Sequence, residues 1–249
     1  MKAMVFAAGQ GTRLRPLTDN LPKVLVPVAG RPMIEYSLLL LRHYGIDEVV
    51  VNLHHLGEKI ESHLQDGSRL GLRITYSREK ELLDTGGGLL QARPLLDGAP
   101  FIVINGDVVI DLDLQAVIDR HREDGAAATL VLRPDADADR YGAIEISADR
   151  RVRKFLNHEA PSDAAGPLAK LMFTGVQVLG PEIFDYLARE DSPRFGTTRD
   201  TYPKMLVGGE RLYGFPFEGF WQDLGTPERI KAAEAKLAAG EARLGYLRD

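Results

Sequence analysis

The 249-residue chain has no cysteine, which excludes disulfide bonds and thiolate metal centres and fits a reducing compartment. It has no excess of positive charge: 31 Lys and Arg stand against 36 Asp and Glu, for a formal net charge of −5. With both signs interspersed, the basic footprint of a nucleic-acid binder is missing, and any nucleotide bound is expected to be small. No apolar run approaches the roughly 18 residues that a membrane span requires. The N-terminus enters a strand pattern directly, without a charged-then-apolar leader. These absences lead to the expectation of a soluble, cytoplasmic protein, a monomer or small homo-oligomer, with neither membrane nor nucleic acid as partner. No internal repeat is visible. His54-His55 lacks the glutamate and spacing of a zinc motif and reads as a helix entrance. Ser37, Ser62 and Ser68 fit no nucleophile-elbow pattern.

What is present is an ordinary globular composition, 44% apolar, enough for a sizeable core. In the first half, short β-rich runs at 3–7, 48–53, 73–77 and 101–105 alternate with helical patterns at 32–44, 55–65 and 87–96. Strand, helix, strand in series implies a parallel sheet with right-handed crossovers. The second half changes character: runs at 127–133, 143–147, 152–156 and 171–179 have fewer helices between them, as in a β-rich addition. Segments 136–141 and 159–168 read as loops, and 227–239 as a C-terminal helix. The expected fold class is α/β, a Rossmann-like, mostly parallel sheet flanked by helices with a β-rich subregion. The expected organisation is a single domain over 1–249, with a nucleotide-binding part at 1–125, a second part at 126–226 and a terminal helix at 227–249.

The most informative stretch is 8–27. An apolar strand leads into a loop with Gly9 and Gly11 two apart, where a backbone can pass close to a phosphate chain. Arg13 and Lys23 then supply positive charge, one as a planar fork for two oxygens and the other as a compact point charge. A dinucleotide fingerprint fails at its third glycine, where Leu14 stands, and at the end of the second strand, where Asn52 replaces an acidic ribose ligand. A Walker loop fails because Gly-Lys-Ser/Thr is absent.

This block resembles the opening motif of the sugar-1-phosphate nucleotidyltransferases, Gly-x-Gly-Thr-Arg-Leu-x-Pro-Leu-Thr followed by Pro-Lys and a later Pro. Gly9, Gly11, Thr12, Arg13, Leu14, Pro16, Leu17, Thr18, Pro22, Lys23 and Pro27 fill every position. The resemblance implies an enzyme that joins a nucleoside triphosphate to a sugar 1-phosphate and releases pyrophosphate. It casts Arg13 and Lys23 as the catalytic candidates and Ala8, Gly9, Gly11 and Thr12 as nucleotide ligands. Asn105-Gly106-Asp107 follows the fourth strand pattern, at the carboxyl edge where open α/β sheets bind ligands. Asp107, and Asp223 in Trp221-Gln222-Asp223-Leu224-Gly225-Thr226-Pro227, match the family aspartates that hold Mg2+, a hard cation suited to carboxylates and phosphate oxygens. Asn105 joins the nucleotide ligands.

Further on, Leu83-Asp84-Thr85-Gly86-Gly87-Gly88 opens a helix, and successive glycines let backbone amides approach a ligand at a helix N-terminus. The segment is similar to the family's base-recognition loop, which adds Glu81, Thr85 and Gly86 to the nucleotide ligands. The resemblance makes 126–226 the sugar-phosphate-binding part, with Gly142, Asn157 and Thr174 as its ligands. One departure stands out: after the strand at 152–155 many relatives have Glu-Lys-Pro, whereas this chain continues Leu156-Asn157-His158-Glu159. The usual phosphate-holding lysine is therefore missing, with Lys170 or Arg194 as replacements to consider. The Thr-Gly-Gly-Gly form and the lack of a following β-helix domain resemble the short uridylyltransferases that act on N-acetylmuramate 1-phosphate. The expected pair is UTP with that acceptor. GTP with mannose 1-phosphate is the alternative, since a carboxylate at 81 suits the N1 and N2 donors of guanine. A heptose 1-phosphate or phosphocholine acceptor, or a non-catalytic binding subunit on the same fold, stands further off.

Overall fold

The computed structural model describes residues 1–136, 138–161, 166–187, 192–242 and 244–247. The loops expected at 136–141 and 159–168 fall partly outside them, at 137 and 162–165, as do the side chains of Arg140 and Tyr141. In chain order the elements begin with β1 (Lys2–Phe6), α1 (Met33–His43), β2 (Glu48–Leu53), α2 (Gly57–Leu64) and β3 (Arg73–Arg78). They continue with α3 (Asp84–Leu96), β4 (Phe101–Asn105), β5 (Val108–Ile110), α4 (Leu114–Glu123), β6 (Ala128–Arg133), β7 (Ile144–Ile146) and β8 (Val152–Phe155). The last are β9 (Ala169–Leu179), α5 (Tyr202–Val207), β10 (Leu212–Pro216), β11 (Trp221–Asp223) and α6 (Pro227–Ala238).

Two compact units share these elements. Unit 1 takes Met1–Leu82, Val103–Leu112 and Gly219–Asp249; unit 2 takes Leu83–Ile102 and Asp113–Glu218. In unit 1, β1 pairs with β2 and β2 with β3, both in parallel, with Val5 opposite Val51 and Val51 opposite Tyr76. On its other side β1 neighbours β4. β1, β2 and β4 are near-continuous apolar runs because crossover helices leave neither face to water, whereas β3, at the edge, has Arg73, Thr75 and Arg78 exposed; Ala3, Met4, Val5 and Val51 are fully buried. The α1 helix is apolar on almost every face, and Met33, Ile34, Leu38 and Leu41 are likewise without exposed surface. Each such side chain contributes about 1.5–3 kcal/mol by leaving water. Asp223 at the end of β11 is in antiparallel register with Val108 of β5, a two-stranded piece built from segments far apart in sequence.

Unit 2 holds the β-rich runs of the second half together with Leu83–Ile102 of the first. β9 runs antiparallel to β6 and β7, β8 antiparallel to β7, and β10 parallel to β6. The loop expected at 136–141 contains a short helix, Ala138–Tyr141, whose Ala138 is buried. Asp139 in it pairs with Lys170 of β9 at 2.6 Å, a local contact that loop composition does not signal. The mixed sheet with parallel strands and flanking helices is the Rossmann-like class read from the sequence.

Candidate active site

The loop after β1 is held from below. Leu14, fully buried, anchors the short helical turn Thr12–Leu14, and its amide donates to Gly11's carbonyl at 2.9 Å. The buried Thr18 hydroxyl donates to the same carbonyl at 2.8 Å. Gly11 has φ +65°, and a methyl group there would lie 2.9 Å from Lys23 Cβ, so this glycine packs the loop onto the next turn. Gly9 meets nothing within 4 Å and is exposed; of the two, it leaves open backbone toward solvent. At the start of the loop the Ala7 amide donates to Asn52 Oδ1 at 2.7 Å, and Asn52 Nδ2 donates to the buried Glu79 carboxylate at 2.7 Å. Asn52, which the sequence offered only as an argument against a ribose ligand, thus fixes the entry to the loop.

The second turn, Lys23–Leu25, buries Val24 and Leu25 and leaves Lys23 partly exposed. Its Nζ donates to Asp107 Oδ2. Asp107 is set by its neighbours: the Gly106 amide donates to Phe6's carbonyl at 3.0 Å, and the Leu224 amide to Asp107's own carbonyl at 3.0 Å. The second bond brings the β11 segment alongside, so the two sequence-remote aspartates stand on adjoining backbone.

Asp223 Oδ1 accepts the Gly225 amide at 2.9 Å and a hydrogen bond from Arg229 Nη1 of α6. Thr226 caps that helix, its hydroxyl accepting the Arg229 amide at 3.4 Å. Gly225 has a steric role: a methyl group there would lie 2.8 Å from Asp223 Oδ1 and 2.9 Å from Arg13 Nη2. The otherwise exposed Arg13 guanidinium therefore rests on the backbone between Asp223 and Thr226. Within unit 1, Arg13, Lys23, Asp107 and Asp223 are brought together as expected, and Arg229 joins them without having been foreseen. Its only sequence signal was the spacing of six from Asp223 at a helix start.

Of the other expected residues, Asn105 ends β4 and accepts the Ser37 hydroxyl on its carbonyl at 3.3 Å, Ala8 is buried, and Thr12 and Glu81 are exposed. His54 Nδ1 lies 3.2 Å from Glu79's carbonyl oxygen, ahead of α2 as the helix-entrance reading expects. In unit 2 the triple glycine lies near the start of α3, which begins three residues earlier than the expected 87, at Asp84. The amides of Gly86 and Gly87 donate to Phe195's carbonyl at 2.9 and 3.2 Å. A methyl group on Gly86 would come within 2.4 Å of the Phe195 ring, and one on Gly87 within 2.2 Å of Pro193's carbonyl oxygen. These glycines admit the 193–195 backbone, a packing use that the sequence pattern does not separate from ligand approach. The Thr85 hydroxyl accepts the Thr197 amide at 2.9 Å. Thr174 is buried, its hydroxyl donating to Val131's carbonyl at 2.9 Å, whereas Asn157 is exposed in the turn after β8. Gly142 has φ +89°. Lys170 is paired with Asp139, and Arg194 is exposed.

Among the described residues no group of three or more His, Asp or Glu forms a metal cluster, and no helix is long and apolar enough to cross a membrane. Two part-exposed carboxylates on adjoining backbone do fit a hard divalent cation that completes its shell with phosphate oxygens and water.

The family model described as nucleotidyl transferase matches residues 2–240. A UTP–glucose-1-phosphate uridylyltransferase from Synechocystis is 35% identical over 96% of the chain, which spans 64% of that protein's length. An N-acetylmuramate alpha-1-phosphate uridylyltransferase from Neisseria meningitidis is 39% identical over 96% of the chain and 99% of its own length. A mannose-1-phosphate guanylyltransferase from Mycobacterium tuberculosis is 32% identical over 99% of the chain and 67% of its own. The solved structure of HddC from Yersinia pseudotuberculosis shares the fold, with TM-score 0.76, 24% identity and coverage of 95% of this chain and 99% of that one.

Proposed function

The chain belongs to the nucleotidyl transferase family, and from that premise we propose that it transfers a nucleoside monophosphate from a nucleoside triphosphate to a sugar 1-phosphate and releases pyrophosphate. The observation that carries this reading is the convergence of Arg13, Lys23 and Arg229 on the paired Asp107 and Asp223, beside the glycine loop. An acceptor phosphate oxygen attacks the α-phosphorus in line. The bond from that phosphorus to the oxygen bridging to the β-phosphorus breaks, and its electron pair leaves with pyrophosphate. The acceptor is already an anion, so no protein nucleophile is required, and catalysis is positioning plus charge neutralisation.

Arg13 serves the departing β- and γ-phosphates, where charge accumulates as the bond breaks. Lys23 serves the α-phosphate and the incoming oxygen. Ala8, Gly9, Gly11 and Thr12 give the triphosphate its backbone cradle, with Glu81 and Asn105 of the same unit toward the nucleoside. Asp107 and Asp223 would hold Mg2+, which when bound supplies charge to offset repulsion between two polyanions.

For the substrates, UTP and N-acetylmuramate 1-phosphate are favoured by the Neisseria relative, which matches over nearly its whole length. GTP with mannose 1-phosphate is the second reading, favoured by the exposed carboxylate of Glu81, an acceptor for guanine's two edge donors. A pyrophosphate-release screen of four nucleoside triphosphates against a panel of sugar 1-phosphates tests the reading. Release with UTP and N-acetylmuramate 1-phosphate is expected; a higher kcat/KM for GTP with mannose 1-phosphate selects the second reading, and no release with any pair removes the activity.

A further inference from the structure

Asp223 does not wait for a cation with a bare carboxylate. Its Oδ1 is occupied by the Arg229 guanidinium and the Gly225 amide, and the Arg13 guanidinium lies against the same backbone. Arginine keeps its charge at any working pH, so this partner leaves only by moving away, never by losing a proton. The pair is neither sealed nor fully in water: the side chains are 30% and 23% exposed. Lys23 stands to Asp107 as Arg229 stands to Asp223, so each carboxylate carries one resident cation and a third, Arg13, is close by. A divalent cation binding through Asp223 Oδ1 must displace Arg229 from that oxygen. The displaced guanidinium then lies among the groups that serve phosphates, and a guanidinium fork matches a phosphate by two parallel hydrogen bonds.

Resting on the reading above, we propose that Arg229 is a transferable counter-charge: it neutralises Asp223 in the free chain and passes to a substrate phosphate oxygen when a divalent cation takes that carboxylate. The exchange keeps the local charge near balance at each stage, since the carboxylate is never left unpaired and the incoming polyanion meets one more cation than the free site displays.

The test uses the full chain and its Arg229→Gln and Arg229→Lys variants, with Mn2+ as probe and the electron paramagnetic resonance of the free ion as readout, no substrate being present. Glutamine is a good helix former, so α6 is retained, which a thermal melt verifies. Loss of the competing cation should tighten Mn2+ binding about fivefold in Arg229→Gln, the scale of a part-exposed ion pair, and Arg229→Lys should stay near the parent. In saturating Mn2+, calorimetric binding of inorganic pyrophosphate should weaken about tenfold in Arg229→Gln. KM values then separate the sources: a rise for the nucleotide alone places Arg229 on the triphosphate, a rise for the sugar phosphate alone places it on the acceptor. Mn2+ binding no tighter in Arg229→Gln overturns the exchange even if the parent is fully active. Tighter Mn2+ with unchanged pyrophosphate binding reduces Arg229 to a plain counter-ion and overturns the transfer. A parent that turns over no substrate pair refutes the proposed reaction, while the substrate-free Mn2+ arm still decides the exchange.

Discussion

Two carboxylate clusters in unit 1 invite comparison. Glu35 of α1 is gripped by Arg31 at 3.1 Å, His63 at 2.9 Å and Arg69 at 2.6 Å, with only 5% of its side chain exposed. Burial by itself would raise its pKa, but hydrogen bonds from Arg69 and His63 outweigh burial and hold it below the ordinary carboxylate value. Among the described residues, Asp107 pairs with Lys23 and Asp223 with Arg229, on adjoining backbone and with 20% and 23% exposure. The first cluster is saturated: its single carboxylate is fully subscribed by short, partly covered contacts. The second has two carboxylates, fewer partners and access to solvent, so its partners are replaceable. Ion pairing in itself thus marks no site; the ratio of partners to carboxylates and the path to solvent set the proposed site apart from a saturated pair.

Substitutions can break this contrast at several points. The largest effect is expected for Arg13→Ala, with kcat lowered on the order of 10²-fold and an unchanged melting temperature, since the arginine is exposed and would meet charge that develops only as pyrophosphate leaves. Near-parental turnover with the correct pair would remove Arg13 from the chemistry. Glu35→Gln should do the reverse, costing about 2 kcal/mol of stability in a denaturant titration through its lost charged hydrogen bonds, with kcat and KM unmoved. A change in KM there would show that the two clusters communicate.

Gly225→Ala comes next. The added methyl group must push Arg13 and the Asp223 carboxylate apart, so activity should fall about tenfold, a cost near 1.4 kcal/mol, with the fold retained. Unaltered kinetics would mean that Arg13 leaves its place on Gly225 during turnover. The smallest effect is expected at His121 in unit 2, buried with its Nδ1 3.1 Å from the Thr129 hydroxyl, where burial lowers its pKa from 6.5 to about 4. Between those values the unfolded chain binds a proton that the native state refuses. This group's contribution therefore weakens stability as pH falls from about 6.5 toward 4, by at most about 1.4 kcal/mol per pH unit. His121→Gln should flatten the melting-temperature profile over that window; an identical profile would assign the acid sensitivity to other groups.

Much of the fold was legible because buried parallel strands leave a plain record in the sequence. The runs expected at 48–53 and 101–105 coincide with β2 and β4, and those at 3–7 and 73–77 differ by a residue at the ends of β1 and β3. The β5–β11 pairing was not legible, since each strand has three residues and more than a hundred separate them, too little for periodicity to register. In the site, Arg13, Lys23, Asp107 and Asp223 could be selected by residue type and motif. Arg229 could not, because what qualifies it is a partner six residues away across a strand end and a cap. The triple glycine is a conspicuous pattern with a packing use that composition does not show: the amides and missing side chains of Gly86 and Gly87 serve the 193–195 segment inside unit 2.

The chain visits unit 1 three times, and the order of those visits has a consequence for synthesis. Lys23 and Asp107 both leave the ribosome early, while Asp223 follows 116 residues and Arg229 122 residues after Asp107, in the third visit. At roughly 5–20 residues per second, the first ion pair is available about 6–24 seconds before the second can form. Throughout that interval β5 lacks its partner strand. A nascent chain thus carries the glycine loop, its arginine and its lysine long before it carries the second carboxylate, and under the proposed reading nucleotide captured in that period would meet a site unable to complete the charge balance. Competence arrives late, with the last strand to be made.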